Sequence, residues 1–182
     1  MPLTEHRSDA PARLGYLLCG DYTDRWLLVR ELDLDGVMGQ TGFPLAKGGE
    51  SRLPIGPFLL VPRETDFYNE LEISLYVNDK LRQKALAKKM VWSPREIVAN
   101  ALADCQSPYR AGADILNIAD CEHIPAGTLI LTGTPEGVLF KLATLWNPWA
   151  YLRPGDVVTS FGSYLGYMRN EIAIGKENGG SP

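Results

Sequence analysis

Apolar and polar residues alternate along residues 71–77, which is the pattern of a β-strand with one buried face. Asn78-Asp79 then supplies two residues typical of a tight turn, and residues 80–83 resume an extended pattern. This stretch therefore predicts a β-hairpin.

A helix is predicted to begin at Ser93-Pro94-Arg95-Glu96. The segment combines an N-cap serine, a proline at the first helical position and a carboxylate at the third. We expect the helix to run to about Ala103. Its apolar face would consist of Ile97, Val98, Ala101 and Leu102.

Shorter apolar runs predict further extended segments. Residues 14–20 are apolar and bounded by glycines, which favours a buried strand or the end of a helix. Two turns rich in proline and glycine, at residues 124–127 and 152–155, each precede a β-branched run and are expected to lead into a strand. Residues 36–57 contain so many glycines and prolines that we expect a structured loop there.

These elements predict an α+β domain that is mainly β. Residues 1–13 are charged and without periodicity, so they are expected to be a disordered lead-in. Residues 175–182 have the composition of a disordered tail. The folded domain should therefore occupy residues 14–174. An aromatic loop between residues 140 and 151 is expected to pack on that domain.

Composition narrows the function classes. The chain has 182 residues, 45% of them hydrophobic and 22% charged, as in a globular protein, and no run approaches the roughly 20 apolar residues of a membrane span. A net charge of −4 argues against nucleic acid as a partner. The polar N-terminus lacks the apolar core of a signal peptide, so a cytoplasmic location is expected. Three cysteines without a repeated spacing favour buried free thiols.

Four residues are candidates for chemistry. Asp21 could ligate a hard cation, and Arg25, four residues later, would share its face on a helical turn and could hold a carboxylate. Lys47 lies in a glycine-rich loop that can approach a ligand closely. Thr134 lies in a turn with hydroxyl and N–H donors. Each also has a structural explanation: a surface ion pair, a solvated lysine and a connecting turn.

Other candidate motifs give weaker evidence for a function. The cluster at residues 120–123, Asp-Cys-Glu-His, is a weak metal candidate, because neighbouring residues of an extended chain point to opposite sides. The sequence contains no Walker loop, nucleophile elbow or H-E-x-x-H motif.

Taken in order, several motifs resemble the C-terminal part of the catalytic domain of the fumarylacetoacetate hydrolase family. The resemblance covers roughly residues 14–174. The matching stretches are GDYTDR at 20–25, Lys47 followed by PIGP at 54–57, VND at 77–79, LILTGTPEGV at 129–138, PGD at 154–156 and LGYMRN at 165–170.

The resemblance implies a mixed β-roll or barrel and a hydrolase or lyase that cleaves a small β-dicarbonyl acid of the acylpyruvate type. Isomerases and decarboxylases of aromatic catabolism belong to the same family. It also implies a divalent metal, Mg²⁺ or else Ca²⁺ or Mn²⁺, and a dimer. By position, Asp21 resembles a metal ligand, Arg25 and Lys47 resemble catalytic and substrate-binding residues, and Thr134 resembles the threonine that contacts the substrate carboxylate.

The sequence departs from the family pattern at two places. Trp26 and Leu28 stand where the family commonly has an acid and a glutamine. The family's upstream Glu-x-Glu strand and its His and Glu pair have no counterpart before Asp21, so we expect the missing ligands from a partner chain or an upstream segment. Two further hypotheses are a non-catalytic domain that serves oligomerisation or small-acid binding, and a β-rich binding module unrelated to the family.

Overall fold

The computed structural model describes residues 14–31, 42–106, 108–111, 114–117, 121–124, 127–135 and 151–174. The chain separates into two compact units. The first unit comprises residues up to 15, 19–54 and 90–134, and the second comprises 16–18, 55–89 and 135–182.

The helices are α1 (Arg25–Arg30), α2 (Gly42–Lys47) and α3 (Pro94–Ala103). The strands are β1 (Glu72–Val77), β2 (Lys80–Leu86), β3 (Pro108–Ala111), β4 (Asp114–Asn117), β5 (Val157–Gly162) and β6 (Gly166–Glu171). Two short 3₁₀ segments, Phe67–Glu70 and Ala87–Lys89, flank the first two strands. Among the described residues, no helix has the length and apolar character needed to cross a bilayer.

The second unit is built on a four-stranded antiparallel sheet in the order β2-β1-β5-β6. The predicted hairpin is confirmed: β1 and β2 pair, and Asn78 and Asp79 connect them with φ angles of 47° and 64°. Asparagine and aspartate tolerate this left-handed region better than other side chains do, which suits them to a two-residue hairpin turn.

Side chains alternate between a buried and an exposed face along β5 and β6. Val158 and Ser160 of β5 and Met168 of β6 point to the buried face, whereas Phe161 and Tyr167 lie on the exposed one. In β1 every residue is half-buried, so the single buried face expected from its alternating sequence is not seen there. The buried hydrophobic cluster of the unit consists of Leu18, Leu71, Leu165 and Met168. The turn predicted at residues 152–155 is found at Pro154 and Gly155, and it leads into β5 as expected.

The first unit contains α3, whose predicted start is confirmed. The Ser93 hydroxyl accepts from the Glu96 N–H, and the Glu96 carboxylate accepts from the Ser93 N–H at 2.7 Å, so both halves of a capping box are present. Strands β3 and β4 form a second antiparallel hairpin after the helix. A disulfide joins Cys105 and Cys121 on either side of this hairpin, so the expectation that these cysteines are free thiols was wrong.

Two other expectations need correction, and a third concerns residues outside the described ranges. The loop predicted at 36–57 contains α2, a regular element despite its glycine and proline. The strand expected after residue 127 is not formed within the described residues 127–135. The lead-in at 1–13, the tail at 175–182 and most of the aromatic loop lie outside the described residues. The fold class, α+β and mainly β, is confirmed by the antiparallel sheet and short helices.

Candidate functional site

Asp21 and Lys47 meet in the first unit although they lie 26 residues apart in the sequence. The Lys47 Nζ donates to the Asp21 Oδ2, so the two candidate residues form a direct ion pair. Their side chains are 31% and 35% exposed, which leaves both groups accessible to a small ligand from solvent. Solvent screening at this exposure makes the pair a weak source of stability.

Two backbone hydrogen bonds hold Asp21 in an extended segment. The Gly20 N–H donates to the Pro54 carbonyl at 2.9 Å, and the Tyr22 N–H donates to the Arg52 carbonyl at 3.0 Å. Glycine suits position 20, because a Cβ there would lie 2.9 Å from the Tyr22 ring and 3.0 Å from the Pro54 side chain, and one of these side chains would have to shift. Both neighbours of Asp21 are therefore fixed by the strand-like pairing of the chain with residues 52–54.

Arg25 is the first residue of α1, and Asp24 is the N-cap. The Asp24 Oδ1 accepts from the Leu27 N–H at 2.9 Å, which satisfies one of the unpaired donors at the helix start. The expected single helical turn from Asp21 to Arg25 is wrong, since the helix begins only at Arg25. Arg25 remains half-buried and four residues from Asp21.

Arg52 is a residue of this region that the sequence motifs did not reveal. Its Nη1 donates to the carbonyls of Leu45 and Ala46, at 3.1 and 2.7 Å, and its Nη2 donates to the Asp24 Oδ2 at 3.4 Å. Asp24 could have been found from sequence, because an aspartate directly before an apolar run is an N-cap signal. Arg52 carries no comparable signal, because its partners lie six to 28 residues away.

The charge of Asp21 affects the neighbouring thiol of Cys19. Burial raises the pKa of the Cys19 thiol, and the Asp21 carboxylate raises it further. Cys19 is a free cysteine, half-buried in the same segment. Its thiol therefore stays protonated at neutral pH and is a poor nucleophile and metal ligand.

The described residues do not complete a metal centre. They contain no group of three His, Cys, Asp or Glu side chains placed to hold an ion. Asp21 offers one carboxylate, whose Oδ2 already pairs with Lys47. A hard divalent cation needs six or more oxygen ligands, so Asp21 by itself would leave such an ion mostly hydrated. The weak cluster at 120–123 is weakened further, since Cys121 is in the disulfide and residue 120 lies outside the described residues.

Thr134 is exposed and lies at the end of the described segment 127–135. It belongs to the same compact unit as Asp21, Arg25 and Lys47. Its contact with a substrate carboxylate stays a prediction.

The two positions that depart from the family pattern have opposite environments. Leu28 is 3% exposed and Trp26 is 77% exposed. Leu28 is thus a packing residue of α1, and its side chain carries no polar atom that could orient water.

A family model described as the C-terminal domain of fumarylacetoacetate (FAA) hydrolase matches residues 12–173. The chain belongs to the fumarylacetoacetate hydrolase family. The motifs that carry the resemblance fall within the matched range.

Individual proteins are similar to most of this chain. The chain is 29% identical to a protein of Pyrococcus abyssi, over 87% of this chain and 56% of the relative. It is 32% identical to a mitochondrial oxaloacetate tautomerase of Arabidopsis thaliana, over 71% of this chain and 50% of the relative. It also matches the crystal structure of fumarylpyruvate hydrolase from Pseudomonas aeruginosa in complex with Mn²⁺ and pyruvate. That match has a TM-score of 0.61 and 23% identity, and covers 88% of this chain and 55% of the other.

The chain spans about half the length of the curated relatives it matches. The match of folds confirms the β-roll architecture of the family. What the relatives bind and catalyse is a property of longer proteins.

Proposed function

We propose that this chain is the substrate-holding part of a metal-dependent hydrolase or lyase that cleaves a C–C bond of a small acylpyruvate-type acid. The observation that carries the proposal is the direct pairing of Lys47 with Asp21, with Arg25 at the start of the adjoining helix. Membership of the fumarylacetoacetate hydrolase family supports the reaction class.

The cationic residues suit an anionic substrate with two carbonyl groups. The guanidinium of Arg25 can hold a carboxylate through two parallel hydrogen bonds, whereas the ammonium of Lys47 supplies a point charge with three donors. Lys47 would polarise a keto oxygen on which negative charge accumulates as the C–C bond breaks. Thr134 would add a hydroxyl donor to the substrate carboxylate.

Asp21 would contribute one carboxylate ligand to a divalent cation, Mg²⁺, Ca²⁺ or Mn²⁺. The Mn²⁺ and pyruvate bound to the fumarylpyruvate hydrolase of Pseudomonas aeruginosa support a metal in this class of protein. When bound, such an ion stabilises enolate charge. Because Asp21 alone cannot complete the site, we propose that the other ligands come from outside the described residues, either from further sequence or from a partner chain.

The wider setting is proposed on the same basis. A homodimer, or a partner chain that supplies the missing half of the site, would complete the metal centre. We expect a cytoplasmic protein with a small dicarboxylic or keto acid as its substrate and no nucleic acid partner. The net charge of −4 agrees with the last point.

The burial of Leu28 favours a second candidate function. Hydrolysis requires a positioned water, and an apolar side chain at this position cannot orient one. A tautomerase, an isomerase or a decarboxylase needs no such water, and the Arabidopsis thaliana relative is an oxaloacetate tautomerase. A non-catalytic domain that binds a small acid or serves oligomerisation would lack the water as well.

The reaction can be assayed directly on the full chain. Fumarylpyruvate and oxaloacetate would be incubated with the protein and Mg²⁺ or Mn²⁺, while the loss of the enol absorbance and the products are followed. If a second copy of the chain, or residues of this chain beyond the described ones, supply the missing ligands, the proposal predicts cleavage of fumarylpyruvate that EDTA abolishes. Turnover of oxaloacetate without cleavage of fumarylpyruvate would favour the tautomerase or decarboxylase, and no turnover of either would contradict an enzyme active by itself.

Lys47→Met tests whether the activity belongs to the site. We expect a loss of roughly a hundredfold in rate, as for the removal of a charged group that stabilises a transition state. Lys84→Met is the matched control, because Lys84 is an exposed lysine that pairs with Glu72 in the second unit. Equal activity of both variants would contradict the assignment of Lys47.

A further inference from the structure

We propose that Arg52 is the positioning residue of this site: its guanidinium joins the end of α2, which carries Lys47, to the start of α1, which carries Arg25. The inference rests on the proposed function only in that these two cations hold the substrate. Three hydrogen bonds of the Arg52 side chain support it. Arg52 is not among the residues that carry the family resemblance.

The guanidinium reaches two elements at once. Nη1 donates to the carbonyls of Leu45 and Ala46, which directly precede Lys47. These carbonyls lie in the last turn of α2, where backbone oxygens have no partner within the helix. Nη2 reaches the Asp24 Oδ2. A planar fork can serve acceptors in different directions without a change of rotamer.

Asp24 receives the other end of this connection. One of its oxygens caps α1 and the other accepts from Arg52, so the same carboxylate serves the helix start and the guanidinium. The Asp24 N–H also donates to the Ala46 carbonyl at 2.9 Å. The carbonyl of Ala46, the residue directly before Lys47, therefore accepts from both Asp24 and Arg52. Ala46 itself is fully buried.

The loop between Lys47 and Arg52 is shaped to bring the arginine back onto the helix. Gly49 has a φ of +104° and Ser51 a φ of 62°, so the chain reverses within a few residues. A Cβ on Gly49 would lie 3.6 Å from the Arg52 Nε, which is an ordinary contact distance and shows how closely the loop follows the side chain. Only 28% of the Arg52 side chain is exposed.

As a consequence, the ion pair between Lys47 and Asp21 depends on Arg52, which holds the end of α2 in place. Without the guanidinium, the end of α2 would lose its connection to α1, and the Lys47 ammonium would spend more time in solvent. A lysine at position 52 would keep the charge, but a single ammonium cannot reach both the α2 carbonyls and Asp24.

The test measures the reactivity of Lys47 toward acetic anhydride by quantitative mass spectrometry, in the full chain and at one pH. In Arg52→Met and Arg52→Lys we expect the acetylation rate of Lys47 to rise roughly five- to tenfold, in line with the net contribution of one ordinary hydrogen bond. Lys80 and Lys84 should keep their rates. Arg30→Met is the matched control, because Arg30 is an exposed arginine of α1 that pairs with its neighbour Glu31.

Each outcome decides the proposal. A selective rise at Lys47 in both Arg52 variants, with Arg30→Met unchanged, supports it. An unchanged Lys47 rate, or a normal rate in Arg52→Lys alone, overturns it, because a positive charge would then suffice. If Arg52→Met unfolds and all lysines react faster, Arg52→Lys decides in the same way. Oxalate binding by the unmodified chain tests the proposed function separately. The role of Arg52 and the proposed function can therefore fail independently of each other.

Discussion

At the scale of single residues, Asp156 joins two turns of the second unit. Its Oδ1 accepts from the Asn78 Nδ2 at 2.7 Å, and its Oδ2 accepts from the Arg153 N–H at 2.8 Å. The hydrogen bond from Asn78, followed by that from Arg153, lowers the pKa of the Asp156 carboxyl below its usual value. The ionised form is therefore the one that the folded state prefers.

This lowered pKa predicts a dependence of stability on pH. Because the unfolded chain takes up the proton at a higher pH than the folded one, the contribution of Asp156 is complete above about pH 5 and is lost as the pH falls through the lowered pKa. We expect Asp156→Asn to melt at a lower temperature than the unmodified chain at pH 7, with the difference shrinking toward pH 3. Thermal melts followed by circular dichroism measure it.

Asp66→Asn is the control, because the Asp66 side chain makes no cap hydrogen bond at the start of its 3₁₀ segment. This variant should show a constant difference from the unmodified chain. A melting-temperature difference for Asp156→Asn that does not change between pH 7 and pH 3 would contradict the role given to its carboxylate.

At the scale of elements, the start of α3 depends on its capping box. Ser93→Ala removes the acceptor for the Glu96 N–H and one donor to the Glu96 carboxylate. We expect the free energy of unfolding to fall by about 1 kcal/mol, the usual effect of losing an N-cap. Urea denaturation measures the change, and Gln106→Ala, at an exposed position after the helix, should have little effect. Equal losses in the two variants would count against the cap.

The disulfide between Cys105 and Cys121 predicts how many thiols are free and how reduction changes the stability. Their Cα atoms lie 5.1 Å apart, and the bond encloses the β3–β4 hairpin in a loop with a sequence separation of 16. Titration of the unfolded, unreduced protein with a thiol reagent should find one free thiol, Cys19, and reduction should expose the other two. Closure of a loop of this length is worth about 3 kcal/mol, so reduction should also lower the stability.

Three free thiols in protein purified without reductant would contradict the disulfide. That result would restore the free thiols expected from the composition, as in a reducing compartment.

The elements predicted correctly from sequence are those with complete local signals. The β1–β2 hairpin has alternation and a turn pair, and α3 has a serine, a proline and a glutamate at the right spacing. The sequence does not predict helices α1 and α2, which have six residues each, because helices this short depend on contacts from elsewhere, such as those of Arg52. The disulfide was missed because its partners share no motif.

The candidate site was predictable to the extent that motifs carry it. Asp21 and Lys47 are candidates both from the chemistry of their residue types and from the resemblance to the family, and the structure brings them into contact. Arg52 was not found, because its role consists of bonds to backbone carbonyls and to an aspartate 28 residues away. Such a role depends on the fold and leaves no pattern in the sequence.

At the scale of the whole molecule, this is a fumarylacetoacetate hydrolase family chain that spans about half the length of its relatives. Its first unit brings a carboxylate and an ammonium together, with a guanidinium on the adjoining helix, and its described residues leave the metal centre incomplete. The central claim is that the chain binds a small keto acid at this place in a way that depends on a divalent cation.

Isothermal titration of the full chain with oxalate, with and without Mn²⁺, measures this dependence. We expect oxalate to bind in the presence of Mn²⁺ and to bind much more weakly without it. In Asp21→Asn, Mn²⁺ should no longer strengthen oxalate binding, whereas Lys84→Met should behave like the unmodified chain. Oxalate binding of equal strength with and without Mn²⁺ would reduce the chain to a domain that binds small acids. No binding under either condition would contradict the account.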